Sequence, residues 1–399
     1  MSNNIVKLKI GKKEKNIIVP SKWNVKIYDI SDHPAISNEE VSKSFMDPIG
    51  TKKISDMINN KMKVAIICDD ITRPTNVKKL LPYVLKELKN KGVPEENVEI
   101  IIALGAHRPM TGKEIEEKFG KEILKKVRIL NHNPFERLVY LGETSHGTPI
   151  ELNEFVANAD FKIGIGCIIP HADAGFGGGG KIIMPGVSSL KSIDYNHRIP
   201  GKLAEIYENE NRKDIDEYAK KAGLNIIINT VINNKAETAR IFIGDPIEAF
   251  REGVKIAKEM YKISITQQAD VAIINAFPLD ISLIVAIKAL FTGITDFVKK
   301  DGRVLMSIDA RDRLGYHLLS NPGGKYEEAI RERIKYVLKD KKLVIITQNL
   351  SYKEVNHIFG ECKDVYLCKS FEEVIKDEQL ENKELNVAVF PTAPVSLPS

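Results

Sequence analysis

Residues 64–68, Val-Ala-Ile-Ile-Cys, carry no polar side chain, and predominantly apolar runs recur at 98–104, 161–169, 269–275, 304–308, 343–347 and 387–390. Between them lie stretches with helical spacing, at 77–88, 112–126, 283–299, 326–338, 352–359 and 371–380. A strand that is apolar on both faces must be covered on both faces, and a parallel sheet with crossover helices does that. The expected fold class is therefore α/β. Local signals agree: Thr111 precedes the 112–126 stretch as an N-cap, with Glu114 three residues on for a capping box. Two hairpins interrupt the alternation, one opening the chain (5–10 and 16–19) and one at 225–232 and 239–243.

At 399 residues the chain is long enough for two cores. The fresh alternation after the 247–261 helix reads as a doubly wound domain of its own. The expected division is 1–265, an N-terminal cofactor-binding and catalytic domain, and 266–399, a C-terminal α/β domain, each with a mostly parallel sheet and with the active site in the cleft between them.

Hydrophobic residues make up 43% of the chain and charged residues 28%, which excludes wholesale disorder. The net charge of +5 is spread among glutamates, and aromatics reach only 7%, so neither a basic face nor a stacking platform for nucleic acid is present. An anionic small molecule suits that balance. The four cysteines show no C-x-x-C pair, and no signal peptide or long apolar run is seen, so a cytoplasmic protein with no membrane segment is expected.

Chemistry gathers where strands end. The first site is Asp69-Asp70-Ile71-Thr72-Arg73-Pro74-Thr75, whose hydroxyls and amides suit a phosphate and whose Arg73 suits a carboxylate. A helix cap with a surface arginine is the plainer alternative. The second is Gly105-Ala106-His107-Arg108-Pro109-Met110-Thr111, in which His107 suits proton transfer, or is simply a solvated loop histidine.

The third runs from Pro170-His171 through four consecutive glycines to Lys181. So many glycines imply close approach to the main chain. Gly175 to Lys181 fits G-x-x-x-x-G-K, although Ile182 replaces the magnesium-binding hydroxyl, so a P-loop-like nucleotide-dependent phosphotransferase is the alternative function. Lys181 is otherwise a candidate nucleophile. His197, in Asp194-Tyr195-Asn196-His197-Arg198, has no helical zinc partner, but one imidazole added to a metal held mostly by a cofactor is compatible. Lys288 follows the apolar 283–287 stretch and either meets an anion or snorkels to solvent.

Taken together, DDITRPT, GAHRPMT, PHADAGFGGGGKIIMPGVSS and DYNHR resemble the nickel-dependent lactate racemase family of 2-hydroxyacid racemases and epimerases. The resemblance runs through both expected domains in the same order. It implies a nickel pincer nucleotide made by separate cofactor-synthesis enzymes, with Lys181 matching the covalent tether and His197 the nickel ligand. Asp70 and Thr72 match the cofactor-binding loop, Arg73 and Lys288 the residues holding the substrate anion, and His107 and His171 the acid/base pair. It also implies inversion of C2 by reversible hydride transfer, which avoids a carbanion beside an ionised carboxylate. Two departures stand out. Ile284-Val285 replace the family's Tyr-Gln pair, and the C-terminal pocket Trp is missing, since the only Trp is Trp23. A more apolar, roomier pocket follows, suited to a 2-hydroxyacid with a larger side chain than lactate.

Overall fold

A computed structural model describes residues 4–320, 323–360, 362–377 and 379–399. The chain forms two compact units, Asp32–Glu259 and a second made of Met1–Ser31 with Met260–Ser399. Each is built on its own six-stranded sheet, as the apolar strands require. No helix among the described residues is long and apolar enough to cross a membrane.

In the Asp32–Glu259 unit the strands lie in the order Thr238–Gly244, Ile226–Ile232, Phe161–Cys167, Val64–Asp69, Val98–Ala103, Arg128–Asn131. All neighbours pair in parallel except the outer hairpin, whose Thr238–Gly244 strand runs antiparallel to Ile226–Ile232. The chain starts this sheet at Val64–Asp69, builds two strands to one side, then returns to lay Phe161–Cys167 on the other. Neighbouring strands whose connections leave in opposite directions open a crevice at their carboxyl ends, where ligands of α/β proteins bind. Both strands at that switch point are buried along their whole length.

The other unit orders its strands as Val365–Cys368, Lys342–Ile346, Val298–Ser307, Ala269–Asn275, Leu385–Phe390, Trp23–Ile27, all parallel. Trp23–Ile27 corrects the expected division at 265. It joins Leu385–Phe390 as an edge strand, and the opening hairpin buries Val6, Leu8, Ile17 and Val19 in one core with Val271, Ile273 and Val389. The alternating apolar face of that hairpin has no partner near it in sequence, so it is covered by strands more than 200 residues away.

Two expected helices are shorter than their spacing suggests. The capping box at Thr111 and Glu114 is present, but the helix ends at Phe119, where Gly120 takes a positive φ of 85°. The 283–299 stretch is an α-helix only over Leu283–Ala286. Two 3-10 turns follow, Ile287–Thr292 and Ile294–Phe297, with left-handed Gly293 between them. Two of the four cysteines, Cys68 and Cys167, are buried free thiols, and Cys362 and Cys368 are half-buried.

Candidate active site

Three loops leave the carboxyl ends of the adjacent strands Val98–Ala103, Val64–Asp69 and Phe161–Cys167, and they carry most of the residues singled out above. A polar chain joins the loop after Val64–Asp69 to the loop after Val98–Ala103. Arg73 Nη1 donates to Thr72 Oγ1 (2.7 Å), Thr72 Oγ1 donates to Asp70 Oδ1 (2.5 Å), and His107 Nδ1 lies 2.6 Å from Asp70 Oδ2. Burial alone would push the Asp70 carboxyl up. The His107 ring, Arg73 and Thr72 outweigh it and hold the group well below the usual carboxylate range. Asp70 is therefore an acceptor only, which places a proton on His107 Nδ1; in the neutral ring the lone pair is then on Nε2.

His171 has the opposite arrangement. It sits on a two-residue strand, Pro170–His171, paired antiparallel to Gly175–Phe176. Its Nδ1 accepts from the backbone N–H groups of Asp173 and Ala174, both at 3.2 Å. In the neutral ring the proton is then on Nε2. In their neutral forms, one ring carries a lone pair on Nε2 and the other an N–H there.

The glycines serve close packing. Gly175 has φ +73°, and a Cβ there would stand 1.9 Å from the Glu205 carbonyl oxygen; at Gly178, φ +87°, it would stand 2.8 Å from Asn229 Oδ1. A Gly175→Ala variant should therefore lose at least about 2 kcal/mol of stability, measured by denaturant unfolding, from the left-handed backbone and the clash combined.

Arg212 holds the same loop from inside. It is fully buried, donates to the carbonyls of Ala174 (3.2 Å), Phe176 and Gly178 (3.3 Å), and stacks over Phe250 with Asp216 at 3.5 Å. Asn229 Oδ1 accepts from the Gly179 amide at 2.7 Å. Nothing in the sequence flagged Arg212, because the helix Glu210–Lys221 is so rich in charge that it reads as a solvated surface helix.

Lys181 follows in a 3-10 turn, Gly179–Ile182. A P-loop needs a strand, a loop and then an α-helix whose first turn faces the phosphates. Here a short turn with buried Ile182 takes the helix's place, so the P-loop-like phosphotransferase alternative is not supported. Desolvation lowers the Lys181 amine to about 7, helped by the Arg212 and Arg73 cations and opposed by Asp173. An amine in that range is a competent nucleophile near neutrality.

His197 ends the helix Leu190–His197, and its Nδ1 donates to the Ile193 carbonyl at 2.8 Å. The neighbouring Asn196 fixes that helix by donating to fully buried Asp214 at 2.8 Å, which also accepts from Thr144 and Thr148. His197 is accessible, yet the protein crowding its ring and the Lys181 ammonium lower its pKa. In the neutral ring, an Nδ1–H held by a carbonyl puts the lone pair on Nε2, the form in which an imidazole could ligate a metal.

Lys288 belongs to the other unit, on the 3-10 turn Ile287–Thr292, and is half-buried; Ile284 and Val285 before it are buried. The structure thus groups Asp70, Thr72, Arg73 and His107 directly. His171 and Lys181 lie on the loop across the switch point. Lys118, which sequence reasoning missed, braces the loop that follows Val64–Asp69.

This fold and these loops have counterparts among known proteins. Residues 10–205 match the lactate racemase N-terminal domain. The lactate racemase of Thermoanaerobacterium thermosaccharolyticum is 32% identical over 68% of this chain and 65% of its own length. That of Lactiplantibacillus plantarum is 31% identical over 72% of this chain and 71% of its own. The structure of the Thermoanaerobacterium lactate racemase apoprotein superposes with a TM-score of 0.81 at 25% identity, covering 99% of this chain and all of that one. A protein from Thermotoga maritima, 18% identical, shares the fold with a TM-score of 0.70 over 92% of this chain and 99% of its own. The class is that of the racemases, which are isomerases. Within it, the chain belongs to the lactate racemase family.

Proposed function

We propose that this protein inverts the C2 centre of a 2-hydroxyacid by reversible hydride transfer, using a nickel pincer nucleotide. The observation that carries the reading is the opposite hydrogen bonding of two histidines placed on either side of the Asp70 strand. Inversion of an alcohol carbon through a planar keto acid needs a proton acceptor where the hydroxyl starts and a donor where the oxygen arrives. His107 offers the lone pair at Nε2 and His171 offers the N–H, so each handles the oxygen on one side. Asp70 keeps the His107 ring in that tautomer, and Arg73 supplies a guanidinium fork for the substrate carboxylate. Lys288 is the second cation proposed for that anion.

The residues present fit the cofactor. Lys181 has a depressed amine suited to a covalent tether, and in the neutral His197 ring, with Nδ1–H on the Ile193 carbonyl, Nε2 is the nitrogen that could ligate nickel. Asp70 and Thr72 line the cofactor side of their loop in this reading. When bound, the group would supply a reversible hydride acceptor for C2. Maturation would depend on separate cofactor-synthesis enzymes, in the cytoplasm.

Ile284 and Val285 favour a substrate larger and more apolar than lactate. Each added methylene in an apolar pocket is worth about 10- to 200-fold in selectivity. A panel of C2-deuterated 2-hydroxyacids, given to protein produced alongside the cofactor-synthesis enzymes, tests both points. The expected result is an inverted product that keeps its deuterium, with branched or longer substrates at least about 10-fold better than lactate in kcat/KM. Deuterium lost to water would overturn hydride transfer, and lactate turning over fastest would overturn the substrate preference.

A further inference from the structure

We propose that Lys118 is a positioning residue for the reaction: it holds the Asp70–Arg73 turn in the geometry that orients His107 and aims Arg73. The inference rests on the reading of His107 and Arg73 given above. Lys118 lies on the helix Gly112–Phe119, with its side chain only 5% exposed. Burying an ammonium is costly unless acceptors surround it. Three do: Lys118 Nζ donates to the carbonyls of Asp70 (2.5 Å) and Arg73 (3.1 Å), and pairs with Asp69 Oδ1 at 2.9 Å.

These partners sit at both ends of one turn. Asp70 O also accepts from the Arg73 amide at 3.3 Å, so the ammonium closes the turn at its base while Ile71 and Thr72 project from it. Asp69, the first acid of the pair, is ion-paired with Lys118 and accepts from Thr75 Oγ1. Its carboxyl is pushed up by burial against the pull of Lys118. The second acid, Asp70, is thereby left to face His107.

The connection to His107 runs through the chain as well. The helix carrying Lys118 begins immediately after the His107 loop, where Thr111 caps it and Arg108 grips Glu114 through two bonds of 2.9 and 2.7 Å. His107 and Lys118 therefore stand at two ends of one rigid segment, and both clasp Asp70, one at the carboxylate and one at the carbonyl. Two contacts on one residue fix its orientation where one would leave it free to swing.

The test compares Lys118→Met, Lys118→Gln and Lys118→Arg with the parent, all as the full chain. The first readout is the nitrogen-15 signals of labelled His107 in protein without cofactor, which report its tautomer and need no activity. In the parent we expect the pattern of a fixed Nδ1–H. In Lys118→Met this should give way to an average of both tautomers, with Lys118→Gln intermediate. The second readout is kinetic, on loaded protein: kcat lower by about 10²-fold, as displacements near 1 Å produce, and a raised KM, with both partly restored in Lys118→Arg. Should the Met variant not fold, Lys118→Gln carries the comparison. A folded Met or Gln variant with parental His107 signals and a parental KM would overturn the role of Lys118. If the parent itself inverts no 2-hydroxyacid while the His107 signals still respond to Lys118, the proposed function fails and the brace on Asp70 stands.

Discussion

A His107→Ala variant, or a His171→Ala variant, should lose inversion by about 10²- to 10⁴-fold in kcat, the range that positioned proton transfer supplies, while taking up cofactor as the parent does. The two halves of that expectation come from different parts of the fold. His107 hangs on Asp70, and His171 on the amides of Asp173 and Ala174. The proposed covalent and metal attachments fall to Lys181 and His197, on the 3-10 turn and the helix that follow. Intact mass and nickel content measure loading, and optical rotation measures turnover. Neither histidine is predicted to touch the tether, so loss of loading in both variants would mean that the roles are misassigned. The variants should also differ from each other. Without His107, the Asp70 carboxylate stays buried with one partner fewer and its pKa rises. Without His171, two amides are left for water. Removing the carboxylate's partner is the costlier change, because an uncompensated buried charge outweighs an unpaired amide. His107→Ala should therefore show the lower melting temperature of the two.

Much of this arrangement is legible without coordinates, for a physical reason. Uniformly apolar strands separated by amphipathic helices admit few topologies, and a doubly wound sheet places its chemistry at the carboxyl ends of its strands. Asp70, His107 and His171 stand at such ends and so could be found by position alone. Residues that act through partners far along the chain could not. Lys118 reaches back 45 and 48 residues to its carbonyls, and Arg212 reaches 34 to 38 residues to the glycine loop. Lys118 did leave one trace: Ile115, Lys118 and Phe119 share the inner face of an amphipathic helix, where a charge is out of place. Arg212 shares a buried face with Ile215 and Ala219, but the density of Asp, Glu and Lys in its helix hides that signal. The break in the 283–299 stretch was written only in Gly293, which a reading by apolar spacing passes over. The opening hairpin illustrates the same limit on a larger scale. Its alternation showed that one face must be covered, and nothing local showed which sheet covers it.

Lys181 carries the second large expectation, a pH dependence of tethering. An ordinary lysine, with a pKa of 10.5, is neutral in only about one molecule in three thousand at pH 7. Desolvation, with the Arg212 and Arg73 cations beside it, lowers this amine to about 7, so about half of it is neutral there. Only the neutral amine attacks. The rate of covalent loading should accordingly rise with pH up to about 7 and then level off, whereas an unperturbed lysine would go on gaining tenfold per pH unit far beyond. Lys181→Ala should show no added mass at any pH. Lys181→Arg, which keeps the charge and has no usable lone pair, should behave the same way while leaving the loop's fold intact. Mass spectrometry of loading reactions over a pH series reads all three. A profile still climbing steeply above pH 8 would mean that the amine is not depressed. Added mass in Lys181→Ala would place the bond on another residue. Parental turnover in Lys181→Arg with no added mass would show that the cofactor works without the tether, and that His197 and the glycine loop suffice to hold it.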